Sequence, residues 1–261
     1  MMLTDRERTE AARMLREAER HAAPVEPLSA VLPGLDLTDA YAVQRDTIAL
    51  RLAEGATVVG HKVGLTSAVI RRLLGVEPDF GHLLHDMVHR DGATVRAGRY
   101  CAPRVAPEIC FRLARPLRGP GVGVADVLAA TEAVAPALEI VDSRIRDWRI
   151  TLVDTVADNA GTGGLVCGPW TPLERAPDLA AVTADLLVDG ERVASGSGAD
   201  VLGHPAAAVA WLADTLAGHG TALEAGQLVL SGAMTTAPRV GAGQTVEARL
   251  SRLGPVSVTF G

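Results

Sequence analysis

The amino-acid sequence predicts an α+β protein, with a small helical region over residues 1–85 and a larger β-rich domain over residues 86–261. Length and composition are the first indication. A chain of 261 residues with 48% hydrophobic content can bury a substantial core but is too short for several full domains. The second is a change of pattern near residue 86, from helical punctuation to short β-type runs separated by turns. The third is the order of these runs, which is neither a regular β-α-β alternation nor an internal repeat. No linker or low-complexity segment divides the two parts cleanly.

The first helix opens with Thr4 followed by Glu7, a capping box ahead of Ala11, Met14 and Leu15. A proline-bearing stretch, residues 23–34, breaks it. A second helix starts near Thr38, with Tyr41, Ile48 and Leu52 on one face and Gly55 at its end. TVVGHKVGL reads as a strand with Gly60 and Gly64 flanking the His61-Lys62 pair, and Thr66 is placed to cap a short helix running to Leu74 and closed by Gly75. Beyond residue 86, strands are expected at 104–113, 134–142, 182–188, 192–196, 227–231, 245–250 and 255–260. Asp189-Gly190 marks a hairpin between two of them. Helices interrupt at 124–133 and 205–217.

Several partners are unfavoured. Net charge is −6 and the basic residues are scattered without interleaved aromatics, which argues against nucleic acid and anionic membrane. No apolar run approaches the roughly 20 residues of a membrane span. The N-terminus is charged and helical, without an apolar signal core, so a cytoplasmic location is expected. Cys101, Cys110 and Cys167 form no CxxC and no even-numbered framework; all are read as buried structural thiols.

Of the 25 basic residues, 24 are arginine and one is lysine, Lys62. Where arginine serves as the generic cation, the lone lysine stands out. An ammonium is a compact point charge whose pKa shifts far enough to exchange protons, and a guanidinium cannot do this.

In RVAPEICF, a strand places Ala106 and Glu108 on one face and Val105, Pro107 and Ile109 on the other. Pro107 suggests an edge or a bulge. Glu139 lies in an apolar run, ALEIV, where a carboxylate is costly unless paired or metal-bound. Two such glutamates on separate strands could hold a hard divalent cation; each could equally face solvent or pair with arginine. In PDFG, Asp79 precedes a turn glycine and could form an acid/base pair with Lys62, or simply cap a turn. DSRIRDWRITLVDTVADNAGTGG mixes polar and apolar residues and suits the wall of a polar pocket, or a charged loop. His61, His82, His85 and His204 lack zinc-type spacing and are read as packed or solvent-facing. No P-loop, GxGxxG, GxSxG or HExxH occurs.

Taken together, GHKVGLTS, VEPDFGHLLHDM, RVAPEICF, ALEIVDSRIRDWRITLVDTVADNA, SGSGADVLGHP, LSGA and LGPVSVTF resemble the 2-oxopent-4-enoate (2-hydroxypenta-2,4-dienoate) hydratases. They are similar also to the 4-oxalocrotonate decarboxylases of the same fumarylacetoacetate hydrolase superfamily. The resemblance runs in family order from about residue 38 to 260. It implies a β-rich domain like the fumarylacetoacetate hydrolase C-terminal domain, a small 2-oxo acid substrate, a homo-oligomer, and magnesium or manganese held by three glutamates. Glu108 and Glu139 match two of those positions, and Lys62 and Asp79 match the family's active-site lysine and aspartate.

The blocks SRIRDW…VDTVADNA and HLLHDM look more like the hydratases than the decarboxylases. The expected activity is therefore metal-dependent addition of water to a 2-hydroxy-2,4-dienoate, giving a 4-hydroxy-2-oxo acid. The alternatives are decarboxylation of a vinylogous 2-oxo diacid and a non-catalytic homologue. Two departures matter: the family's first metal glutamate falls at Ala106, and a serine common after ADNA is Gly161. A metal here is expected to bind more weakly, with one carboxylate fewer.

Overall fold

A computed structural model describes residues 3–67 and 76–261. Apart from its cap position at Thr66, the short helix expected up to Leu74 and Gly75 lies outside the described residues.

Helix α1 (Asp5–His21) begins at the anticipated capping box. Glu7 N donates to Thr4 Oγ1, and Thr4 N donates back to the Glu7 carboxylate at 2.8 Å. A single turn, α2 (Leu28–Val31), sits inside the proline-bearing stretch. α3 (Leu37–Ala53) buries a face that overlaps the expected one at Ile48 and at Tyr41, which stacks on Phe80 at 4.8 Å, but not at Leu52. Ala40, Val43, Gln44, Thr47 and Ile48 point inward, while Leu52 is 45% exposed. The apolar stripe captured only part of this face because a polar residue lies at its centre: Gln44 Nε2 donates to the carbonyls of Phe80 and Val156 at 3.0 and 2.7 Å, which makes the amide a satisfied core group on that side. α1 and α3 share an apolar cluster with Ile145 and with Val156 and Ala157 of α5 (Leu152–Ala157).

The main sheet runs in the order β2 (Asp79–Leu84), β1 (Val58–Gly64), β11 (Leu228–Leu230), β5 (Arg104–Leu113), β6 (Thr131–Val141), β7 (Thr162–Cys167) and β3 (Val88–Arg90), with β8 (Thr171–Pro172) paired to β6. A second sheet orders β10 (Glu191–Ser197), β9 (Thr183–Val188), β12 (Thr245–Leu250), β13 (Gly254–Phe260) and β4 (Ala93–Val95). The β9–β10 hairpin turns at Asp189-Gly190 as predicted. The main core lies between the sheets and under α6 (Pro205–Gly218). It joins Val105, Ile109 and Phe111 of β5 and Leu138 and Ile140 of β6 to Leu186, Val246, Val258 and Phe260.

The expected division after residue 85 does not follow the hydrogen bonding. β1 and β2, assigned by sequence to the helical region, are paired into the main sheet through β11. β2 and β7 were not anticipated as strands, since DFGHLL and TGGLVC are short and glycine-bearing. The helix expected at 124–133 is α4 (Val124–Ala130), because Thr131 already opens β6. Pro107 lies neither at the sheet edge nor at a bulge: it pairs with Leu138 of β6. Its carbonyl accepts from Met234 N at 3.0 Å, beyond the end of the β11 ladder, so its missing N–H also faces that side and no ladder bond is lost.

The main sheet is rolled, since β2 packs against β7 although the two lie near opposite ends of the strand order. Its inner face carries an apolar cluster of Leu83, Cys110, Ala137, Leu165 and Leu230. Of the three free cysteines, Cys110 is buried, while Cys101 and Cys167 are partly exposed rather than buried as expected. Cys101 lies in a connecting segment and Cys167 at the end of β7, where neighbouring chain covers them incompletely.

Candidate active site

The roll brings the candidate residues together. On β5 and β6 the register pairs Ala106 with Glu139 and Glu108 with Ala137, so the alternation places Ala106, Glu108 and Glu139 on one face. On β1 and β2, Lys62 pairs with Gly81 and Gly64 with Asp79, which puts Lys62 and Asp79 on one face as well. All four ionisable side chains are buried. Lys62 Nζ reaches Glu139 Oε1 at 3.4 Å, and the Glu139 charge acts on Glu108 across the β5–β6 pair. Asp79 is not a turn residue: it is the first residue of a strand whose Gly81 is also extended.

The two glycines flanking His61-Lys62 differ in purpose. A Cβ on Gly60 would sit 1.8 Å from Leu228 O, so Gly60 permits close strand pairing. A Cβ on Gly64 would lie 2.1 Å from Asp79 Oδ1 and 3.0 Å from Lys62 Nζ. It would fill the space where ammonium and carboxylate meet. At Gly161, which has φ +70°, a Cβ would meet Val141 Cγ1 at 3.1 Å.

One ammonium faces three carboxyl groups. Burial disfavours the Lys62 charge, but Glu139, Asp79 and Glu108 outweigh it and raise its pKa. Burial also pushes the Asp79 carboxyl up, with Lys62 opposing. Burial and then the Glu139 charge push Glu108 well above the usual carboxylate range, against the pull of the Gly232 N–H, which donates to Glu108 Oε2 at 2.8 Å. Among the described residues, both Asp79 oxygens and Glu108 Oε1 are buried without a hydrogen-bond partner, and Glu139 Oε1 meets the Lys62 ammonium alone. Orphaned carboxylate oxygens on two facing glutamates fit a hard divalent cation. No group of three or more His, Cys, Asp or Glu side chains suited to a metal occurs among the described residues, and the fully buried Ala106 stands opposite Glu139 where a third carboxylate could have been.

The four histidines are not gathered into a ligand set. His61 and His82 face each other with ring centroids 5.0 Å apart, and burial pushes their pKa values down to about 3 and about 4. His85 Nδ1 accepts from Thr57 N, and His204 Nδ1 caps α6 through Ala206 N.

Sequence reasoning missed residues that hold the site in place. Asn159 brackets His82 on β2, accepting from His82 N at 2.7 Å and donating to His82 O at 3.0 Å. Arg144, fully inside the DSRIRDW block, binds Asp158 Oδ1 at 2.5 Å, Asp142 O at 3.0 Å and Thr162 O at 2.9 Å. That block is thus tied from within at Arg144, while its Arg146 and Arg149 pair with Glu26 at the surface at 2.8 and 2.6 Å. An Asn-Ala-Gly run with left-handed φ at Asn159, Ala160 and Gly161 was a readable turn signal; the partners of Gln44 and Arg144 were not.

A buried lysine among carboxylates, inside a rolled sheet that stacks on a second sheet, agrees with the family relationship. Residues 74–260 match the family model "Fumarylacetoacetate (FAA) hydrolase C-terminal", and the chain belongs to this family. Within it, the chain is 43% identical over 249 residues to the 2-hydroxyhexa-2,4-dienoate hydratase of Comamonas testosteroni, covering 94% of each. It is 42% identical over 259 residues to the 2-keto-4-pentenoate hydratase of Paraburkholderia xenovorans (strain LB400), covering 99% of this chain and 96% of that one. The structure of 4-oxalocrotonate decarboxylase from Pseudomonas putida G7, complexed with magnesium and adipate, matches with a TM-score of 0.96 at 34% identity and 99% coverage of both chains. No helix among the described residues is long and apolar enough to cross a membrane.

Proposed function

We propose that the chain is a hydro-lyase that adds water to a 2-hydroxy-2,4-dienoate to give a 4-hydroxy-2-oxo acid, using a divalent metal. The observation that carries this reading is the convergence of Lys62, Asp79, Glu108 and Glu139 on one buried face. The identity to hydratases over nearly the full length supports it.

Glu108 and Glu139 would hold magnesium or manganese, which supplies Lewis acidity to the carboxylate and 2-oxo oxygens of a bound 2-oxo acid. The diene must ketonise: O2 loses a proton and C5 gains one. Water then adds across the remaining double bond, its oxygen going to C4 and a proton to C3. Negative charge therefore builds at O2, and the Lys62 ammonium is fixed to meet it in a dry site. Asp79, raised by burial and poised beside Lys62, holds and returns a proton between these carbon and oxygen atoms. Binding is expected to be weaker than with three carboxylates, because Ala106 adds none. We assign the chain to the cytoplasm as a homo-oligomer; Val31, Leu37 and Leu52, each more than 40% exposed, supply apolar surface for self-association.

Decarboxylation of a vinylogous 2-oxo diacid is the second reading, supported by the match to 4-oxalocrotonate decarboxylase. The same stabilised enolate serves both reactions. The purified protein with magnesium or manganese should consume 2-hydroxypenta-2,4-dienoate and yield 4-hydroxy-2-oxopentanoate by NMR. Release of carbon dioxide from 4-oxalocrotonate, without hydration of the dienoate, would favour the second reading. Inertness toward both would make the chain a non-catalytic homologue.

A further inference from the structure

Two arginines stand side by side at the far end of the strand that carries Glu108. Arg104 opens β5, and Arg239, in the segment after β11, is its cross-strand partner in an isolated antiparallel bridge. Val105 N donates to Pro238 O at 3.2 Å and Val240 N to Pro103 O at 3.1 Å. These bonds flank the pair, so it occupies the narrow, non-hydrogen-bonded position where side chains approach most closely. Like charges directly opposed at such a position are destabilising. Neither guanidinium has an ion-pair partner among the described residues. Arg104 rests over the Trp148 ring at 4.5 Å and donates to Ala237 O at 3.5 Å, while its buried Nε has no partner among the described residues.

Strand alternation places Arg104 on the same face as Ala106 and Glu108, and its cross-strand partner Arg239 shares that face. A single segment connects the two ends. Ser231 N donates to Ile109 O, Gly232 N to the Glu108 carboxylate and Met234 N to Pro107 O, before the chain reaches Pro238 and Arg239. Residues 231–239 thus run along β5 from the carboxylates to the arginines. Between the ends lies Ala106, small and fully buried. At about 3.4 Å per residue, Arg104 sits about 7 Å beyond Ala106 along the strand, a gap that a short carbon chain bridges.

We propose that Arg104 and Arg239 bind a second carboxylate of the substrate, so that the preferred substrate is a 2-hydroxy-2,4-dienoate ending in a distal carboxylate rather than an alkyl group. The inference rests on the hydratase reading above. Paired guanidiniums match a carboxylate in charge and fork geometry, and a bound carboxylate would relieve the repulsion between them.

The test compares the wild type with Arg239→Ala, a substitution at an exposed position. Calorimetric titrations use adipate and hexanoate in the presence of magnesium, and hydration is followed on mono- and dicarboxylate dienoates. The wild type should bind adipate on the order of tenfold tighter than hexanoate, and Arg239→Ala should erase that preference. The ratio of kcat/KM for dicarboxylate over monocarboxylate should fall on the order of tenfold, through KM. Equal binding of adipate and hexanoate by the wild type, or an unchanged preference in Arg239→Ala, overturns the arginine assignment. An adipate preference lost in Arg239→Ala without any hydration supports the arginine pair and overturns the hydratase reading. Hydration with no dicarboxylate preference does the reverse.

Discussion

Lys62 and Glu139 meet at 3.4 Å although their strands are three apart in the sheet order. In a flat sheet the two backbones would lie about 14 Å apart. The roll of the sheet and the reach of two long side chains close that gap, and the ion pair is therefore a direct product of sheet curvature.

The first prediction follows from this pair. Lys62→Arg should keep the fold by circular dichroism and lose on the order of 100-fold in kcat. A guanidinium retains the charge but not the compact shape beside Gly64, nor the capacity to exchange protons. A variant within a few-fold of wild-type turnover would remove Lys62 from the chemistry.

Ala106 provides the second prediction. Because it opposes Glu139 and shares a face with Glu108, Ala106→Glu should tighten magnesium binding by about tenfold, or about 1.4 kcal/mol. The metal-free variant should melt at a lower temperature than wild type, since a third acidic group is then buried beside two others. Calorimetric titration of both proteins checks the affinity, and an unchanged value would show that residue 106 does not reach the ion.

Asn159 is the third. Its side chain holds both backbone groups of His82, and β2 begins three residues earlier with Asp79. Asn159→Ala leaves two part-buried backbone groups without partners and places alanine at φ 52°, so it should cost roughly 2 kcal/mol in urea unfolding. It should also lower kcat more than it alters KM, because β2 is then free to shift Asp79 against Lys62. Unaltered stability would contradict the bracketing role.

A pH dependence comes from His61 and His82. Their folded pKa values, about 3 and about 4, lie below the ordinary 6.5 because both are buried. Above pH 6.5 both states are neutral and nothing is lost. Below it the unfolded chain takes up protons that the folded chain refuses, so stability falls as pH drops from 6.5 toward 4, by up to about 1.4 kcal/mol per pH unit for each histidine. Below the folded values this contribution levels off. Chemical unfolding of the wild type and of His82→Gln across this range is the check, and the variant should show a shallower loss. Equal slopes would mean that His82 is protonated in the folded protein.

Much of this was legible locally. Alternation along RVAPEICF correctly placed Ala106 and Glu108 together, the capping box at Thr4 and Glu7 was readable from spacing, and the lone lysine marked itself by composition. These depend on residues a few positions apart, where backbone geometry alone determines which side chains are neighbours. Sequence also identified the family, through motifs spread in order along the chain.

Tertiary structure decided the rest. The stripe Tyr41, Ile48 and Leu52 captured only one edge of the buried face of α3: Ile48 is buried and Tyr41 stacks on Phe80, but Leu52 is exposed and Gln44 meets the carbonyls of Phe80 and Val156. β2 and β7 are strands because partners pair with them, not because their glycine-bearing sequences favour extension. The approach of Lys62 to Glu139 and the bridge from Arg104 to Arg239 join residues far apart in the chain. Such encounters depend on how a sheet of many strands curls as a whole. Each strand contributes only its own alternation to that outcome, so the curl cannot be read from any one of them.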